Sequence, residues 1–169
     1  MKILDTERLT LRTLEADDAA FYLELVNDPS FLKNIGDKGV RSVDDARTAL
    51  LDGPVTMQRE RGHSLYMVLR KEDGAAMGMC GLIKRDSLPE VDIGYAYLPP
   101  FWGNGYAYEA AAAVKAYARD TLRMPSLMAI TNPENVSSIN LLLKLGLRFV
   151  EFQCLPPNNK PTNIYRLDF

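Results

Sequence analysis

Two glycines one residue apart, in Gly103-Asn104-Gly105, stand at the entry to a segment with helical spacing and form the clearest chemical feature of the sequence. Glycine reaches positive φ and lets the backbone approach a ligand closely, while the first turn of a helix presents unpaired N–H groups and the positive end of its dipole. Such a turn suits an anion, and a pyrophosphate is its natural occupant, although the same pattern also describes a plain tight turn. A dinucleotide fold needs a small third residue in G-x-G-x-x-G, but Tyr108 stands there, and no G-x-x-x-x-G-K-[ST] occurs. Other reactive residue types are sparse. His63 is the sole histidine, which excludes a His-rich metal site and any histidine triad without it. Cys80 and Cys154 lack the spacing of a zinc site or a disulfide framework. Cys80 lies in an apolar strand and reads as a small buried thiol, and His63 reads as structural, so no metal is expected.

The elements that must position this turn are legible from periodicity. Arg8–Arg12 alternates with period two and is predicted as the first strand. Asp17-Asp18 precede a helical stripe of Phe21, Tyr22, Leu25 and Val26 that Pro29 is expected to close. A second helix fits Ser42 to Leu51, with Ser42 as cap and Asp45 at the capping-box position, and a short third follows Pro54. Strands are predicted at His63–Arg70, Ala75–Lys84 and Val91–Leu98, joined by turns at Glu72-Asp73-Gly74 and Asp86-Ser87-Leu88-Pro89, so three antiparallel strands run in succession. From Gly105 onward Ala107, Ala110, Ala111, Val114 and Ala118 recur on one face of a long helix. Ser126–Thr131 reads as a strand, Asn135–Leu145 as a helix ended by Gly146, and Leu147–Gln153 and Asn163–Asp168 as the last strands.

The expected fold is therefore α+β, with a mixed, mostly antiparallel sheet of about seven strands flanked by helices. At 169 residues, with 47% hydrophobic and 25% charged residues and no linker or repeat, the chain is expected to form a single domain. A net charge of −2 provides no broad basic field, so nucleic acid is not an expected partner. No apolar run has the length of a signal peptide or a membrane span, and the expected location is cytoplasmic with no membrane partner.

The segment from Tyr95 to Ala110 resembles the acyl-CoA signature of the Gcn5-related N-acetyltransferase superfamily, [QR]-x-x-G-x-[GA], with Gly105 and Ala107 in its last two named positions. Trp102 replaces the Gln or Arg, as in the branch similar to ribosomal-protein alanine N-acetyltransferases, where a tryptophan-glycine-x-glycine-tyrosine-alanine run looks like Trp102 to Ala107. The resemblance extends to Thr6-Glu7-Arg8-Leu9-Thr10-Leu11-Arg12, to Asn132-Pro133-Glu134-Asn135, and to Ser138 and Lys144-Leu145-Gly146. It implies that acetyl-CoA is the donor, that its pyrophosphate meets the N–H groups of Gly103, Asn104, Gly105, Tyr106 and Ala107, and that pantetheine pairs with the backbone of Tyr95, Ala96, Tyr97 and Leu98. Asn135 would contact the cofactor from the following helix, with Asn132 and Lys144 as weaker contacts.

The resemblance also implies the reaction. An alkyl ammonium must lose a proton before it can attack a thioester. Asp92 stands where related enzymes often carry a glutamate before an Ile-Gly-Tyr-like run, and strand alternation puts it on the face of Gly94, opposite Val91, Ile93 and Tyr95, beside a small-residue opening. Glu90 shares that face as the second candidate base. Leu142 occupies the place of a tyrosine acid found in many superfamily members and cannot donate a proton; Ser138, one turn earlier, resembles a hydroxyl at this place in the ribosomal-protein branch, which implies a thiol-side donor, while a plain capping or exposed helix serine stays open. Protein N-termini, polyamines, amino sugars and small amines stay open as acceptors, monomer and homodimer stay open as assemblies, and a noncatalytic acyl-CoA sensor is the alternative reading.

Overall fold

The computed structural model describes residues 1–169. Eight strands form one sheet: β1 (Lys2–Asp5), β2 (Leu9–Thr13), β3 (Leu65–Arg70), β4 (Ala76–Ile83), β5 (Asp92–Tyr97), β6 (Ser126–Thr131), β7 (Arg148–Leu155) and β8 (Lys160–Asp168). Their order is β1-β2-β3-β4-β5-β6-β8-β7, and every neighbouring pair is antiparallel except β5 with β6. The expected class and the antiparallel run β3-β4-β5 hold, but the sheet has eight strands instead of about seven. The additional strand is β1, which pairs with β2 ahead of the segment expected to begin the fold.

Helices α1 (Ala19–Val26), α2 (Pro29–Asn34), α3 (Val43–Leu50) and α4 (Thr56–Arg61) come between β2 and β3. Pro29 does not simply close a helix. It occupies the first turn of α2, where its missing N–H costs nothing, and the Asp28 side chain caps the helix by accepting from Ser30 N–H. Ser42 caps α3 as expected, accepting from Asp45 N–H at 3.0 Å, but the Asp45 carboxylate accepts from Arg41 N–H, one residue before its capping-box target. A π-helical turn over Leu51–Val55 joins α3 to α4.

Two cores lie on opposite faces of the sheet. On one, α5 (Tyr106–Asp120) and α6 (Val136–Lys144) bury Ala110, Ala111, Val114, Ala118, Leu142 and Leu145 against Leu9, Tyr66, Cys80, Leu82, Ile93 and Leu127. The small side chains of α5 let its backbone lie close to the strands, and its position across β4, β5 and β6 aims its amino terminus at the end of β5. On the other face, Leu25, Val26, Phe31, Ala46 and Leu50 of α1, α2 and α3 cover Met67, Met79 and Leu98. His63 is buried with Nδ1 3.1 Å from the Leu82 carbonyl, and Cys80 is fully buried, matching the structural readings of both.

Candidate active site

β5 and β6 are joined by a single rung, Asp92 opposite Met128, with Met128 N–H donating to the Val91 carbonyl at 2.9 Å. On the other edge of β5, Leu98 N–H donates to Met77 of the β4 segment at 2.9 Å. Strand hydrogen bonding alternates, so even-numbered residues serve β4 and odd-numbered ones face β6. Beyond the rung the two strands part. The Ile93 and Tyr95 carbonyls and the Tyr95 and Tyr97 N–H groups therefore face a gap that no strand fills. The Tyr97 carbonyl is taken by Trp102 Nε1 at 2.9 Å. This arrangement limits the expected backbone pairing: Tyr95 and Tyr97 face the gap, whereas Ala96 and Leu98 turn their backbone groups to β4.

The gap runs into the glycine turn. Gly103 and Gly105 both adopt φ +78°, which non-glycine residues rarely hold, and Gly105 caps the amino terminus of α5. The N–H groups of Tyr106, Ala107 and Tyr108 then open the helix without an intrahelical partner. Asn104 stabilises the turn from within, donating from Nδ2 to the Trp102 carbonyl at 3.0 Å, and the Trp102 ring stays half-exposed above it.

A brace from the start of β2 fixes the turn from outside. Arg8 donates from Nε to Glu109 Oε2 at 2.7 Å and from Nη1 to the Asn104 carbonyl at 2.9 Å, and its guanidinium lies 4.4 Å from the Tyr106 ring centroid. Glu109 Oε1 also accepts from Thr6 Oγ1 at 2.7 Å and Arg8 N–H at 2.9 Å. Burial opposes the Glu109 charge, but the Thr6 and Arg8 bonds together hold its pKa below the usual carboxylate range. Sequence reasoning reads this segment as a strand and as a likeness but misses the role of Arg8 as a brace, because its partners lie 96 and 101 residues away.

Asp92 is 1% exposed and points to the face opposite α5. Its Oδ2 accepts from Arg85 Nε at 2.7 Å, while its Oδ1 is buried with no hydrogen-bond partner. Burial raises the Asp92 pKa, and the Arg85 and Lys84 charges oppose that shift without cancelling it. An unpartnered buried carboxylate oxygen is costly and rare, so it marks a place where a donor from outside the chain would be stabilising. The carboxylate is thus not solvated, and the opening beside Gly94 is narrow: a Cβ there would come within 3.1 Å of Ile83 Cδ1. Glu90 lies in the bend before β5, partly exposed, and makes no side-chain hydrogen bond.

Ser138 and Tyr95 meet across the other face, with Ser138 Oγ 2.8 Å from the Tyr95 hydroxyl. Burial raises the Tyr95 pKa, so the phenol stays protonated at neutral pH. Sequence reasoning places the Tyr95 backbone at the donor but misses its side-chain link to Ser138. Leu142 is buried in the core as an apolar residue. Asn135 caps α6, its Oδ1 accepting from Ser138 N–H at 3.3 Å. Asn132 Oδ1 is engaged in its own turn by Glu134 N–H at 3.0 Å. Lys144 Nζ sits 4.0 Å from the Tyr108 ring centroid, which brings its charge to the first turn of α5. A cleft of about 430 Å³ opens past the end of β6, lined by Asn132, Pro133, Glu134, Phe152, Lys160 and Pro161. No group of His, Cys, Asp and Glu side chains is arranged to hold a metal ion.

Comparison with known proteins agrees with this geometry. The family model described as an acetyltransferase (GNAT) domain matches residues 8–148. An uncharacterized N-acetyltransferase, p20 of Bacillus licheniformis, is 30% identical over 149 residues, covering 88% of this chain and 83% of its own. The crystal structure of an acetyltransferase from Agrobacterium tumefaciens str. C58 superposes with a TM-score of 0.83 at 25% identity, over 100% of this chain and 95% of that one. The ribosomal L7/L12 alpha-N-protein acetyltransferase RimL, solved with coenzyme A, shares the fold with a TM-score of 0.83 at 16% identity, over 100% and 98% of the two chains. The open strand edge, the left-handed glycine turn and the family match over most of the sequence lead to one conclusion: the chain belongs to the GNAT family of acetyltransferases.

Proposed function

We propose that this acetyltransferase moves an acetyl group from acetyl-CoA to a primary amine by direct attack in a ternary complex, within one domain. The observation that carries the donor half is the unpaired edge of β5 running into the Gly103–Gly105 turn. The Ile93 and Tyr95 carbonyls and the Tyr95 and Tyr97 N–H groups are offered to the pantetheine amides. The N–H groups from Gly105 to Tyr108 are offered to the pyrophosphate, with Lys144 beside them as a cation. The Arg8 brace keeps those N–H groups aligned before the ligand arrives, which lowers the ordering cost of binding.

Asp92 supports the acceptor half. Its Oδ1 has no partner within the chain but is buried, so it takes a proton from the incoming ammonium through an intervening water, and the amine lone pair then attacks the thioester carbon. Backbone N–H groups on the open edge stabilise the oxyanion. The tetrahedral nitrogen then gives its second proton to solvent water, and as the C–S bond breaks the leaving thiolate takes a proton from the Ser138 hydroxyl, which recovers one from solvent through the Tyr95 hydroxyl. Arg85 keeps the Asp92 carboxylate oriented; Glu90 is the second candidate for the base. A protein α-amine is the acceptor class favoured by the fold's likeness to RimL, whose name states that specificity.

Calorimetric titration with acetyl-CoA, followed by thiol release with a panel of primary amines, tests both halves separately. Saturable binding and thiol release with a free α-amine peptide, absent with its N-acetylated form, are the expected results. No binding by folded protein would remove the donor assignment; binding without thiol release for any amine would remove the acceptor class.

A further inference from the structure

Lys38 lies in the loop of residues 35–42 that joins α2 to α3. That loop is pinned on either side of it. Lys160, the first residue of β8, donates from Nζ to the Asn34 carbonyl at 3.0 Å and to the Ile35 carbonyl, and the Val40 carbonyl accepts from Asn27 Nδ2 at 2.8 Å. Gly36 and Gly39 both hold positive φ, so the chain turns tightly around Lys38. The turn brings the Lys38 ammonium near two other cations. Partial burial and the Arg85 charge lower the Lys38 pKa, and partial burial and the Lys38 charge lower that of Lys160.

This group of cations meets the acceptor site at Arg85. Arg85 gives Nε to Asp92 Oδ2 at 2.7 Å, and its two terminal nitrogens bond nothing in the chain. Asp92 is the one carboxylate bonded to Lys38, Arg85 or Lys160, since Asp37 of the same loop is paired with Arg41. The buried, unpartnered Asp92 Oδ1 marks the same spot as a place for a ligand donor. Lys160 also lines the cleft past β6, beside Asn132, Glu134 and Phe152, so the cationic corner continues into a space of about 430 Å³. That space has room for further residues of a peptide.

An amine arrives as an ammonium, and a corner holding Lys38, Arg85 and Lys160 repels a plain alkylammonium or a polyamine. An anion carried beside the amine reverses the sign. We infer that the acceptor is a peptide α-amine with an acidic side chain in its first residues, its ammonium turned towards Asp92 and its carboxylate held by Arg85 and Lys38. The inference rests on the proposed amine acetylation with Asp92 at the acceptor site. The planar fork of Arg85 suits a carboxylate, and Lys38 adds a second charge from the loop. The same cations disfavour the charged form of the bound amine, so they lower its pKa and help its proton leave.

The test is kcat/KM, read by thiol release, for three peptides that share an amino-terminal serine and carry glutamate, glutamine or lysine at the next two positions. The glutamate peptide should exceed the glutamine peptide by about tenfold or more, and the lysine peptide by more still, a gap that narrows as salt screens it. Lys38→Glu should reverse the order of the glutamate and lysine peptides. Lys2→Glu makes the same change of net charge at a side chain 63% exposed in β1 and should leave the order as it is. Thermal melts and acetyl-CoA titration confirm that each variant is folded and binds the donor. Thiol release with no amine would remove the amine reading and this inference with it. Equal release from the glutamate and glutamine peptides, or an order that Lys38→Glu fails to reverse, would leave amine acetylation standing and overturn the acidic preference.

Discussion

Asp92→Asn is expected to lower kcat/KM for the amine by about 10²- to 10⁴-fold while leaving acetyl-CoA affinity unchanged, the signature of a lost general base. The pH profile gives a second readout. Burial raises the Asp92 pKa, against the opposing Arg85 and Lys84 charges, so the base is protonated at a higher pH than an exposed aspartate. Activity should fall as pH drops through that raised value, and the acid limb should disappear in the Asn variant. For stability the sign runs the other way. The folded state holds this proton more tightly than the unfolded chain, so the Asp92 contribution is most favourable below the unfolded pKa and declines as pH rises towards the folded one. Asn removes that cost and leaves Arg85 a neutral carbonyl to bond, and Arg85 is itself one-third exposed to water, so the melting temperature near neutrality should move little. If Asp92→Asn and Glu90→Gln both leave kcat/KM unchanged, neither carboxylate is the base.

Gly105→Val should act on the opposite partner. At φ +78° a β-branched side chain is strained whatever the space around it; the approach of Arg8 Nη2, 3.5 Å from an added Cβ, is an ordinary contact. A strain of about 1–3 kcal/mol is expected, which corresponds to about five- to 150-fold in acetyl-CoA affinity if the free turn relaxes and binding must restore it. The KM for acetyl-CoA should rise while kcat at saturation is largely retained. Gly53→Ala is the control, since an added Cβ there meets nothing within 4 Å and Gly53 lies in the turn between α3 and α4. Equal loss in both variants would mean general destabilisation and would count against the phosphate role of the turn.

The contrast between these two sites explains what the sequence could reveal. The glycine turn is legible because its causes are local: a backbone conformation that favours glycine, followed at once by a helix with a small-residue face. α5, β6 and α6 fall within a residue or two of their predicted limits for the same reason, since periodicity and end signals coincide there. Asp28-Pro29 also carries a local signal, a cap followed by a proline suited to the first turn, but proline terminates helices too, so the same residue reads equally as a stop. β1 has four residues and no strong alternation, and becomes a strand through β2. At the site, the pairs that set the chemistry are nonlocal. Tyr95 and Ser138 are 43 residues apart, and Arg8 and Glu109 are 101 apart. Arg85 is only seven residues from Asp92, yet the intervening turn decides whether they meet. No periodicity records such meetings.

The single rung between β5 and β6 divides the sheet into two antiparallel ribbons, β1–β5 and β6–β8, each closed largely by its own hydrogen bonds. Beyond that rung the ribbons are tied by the α5 face laid across both, by Leu88 packed on Met128 and Ile164, and by Lys160 Nζ donating to the Asn34 carbonyl at 3.0 Å. In the proposed binding mode, a donor seated between them would supply rungs that the polypeptide lacks and act as a removable ninth strand. Added protection of the amides along the open β5 edge would then follow donor binding, and the extent to which the protein unfolds as one unit would depend on how much donor surrounds it.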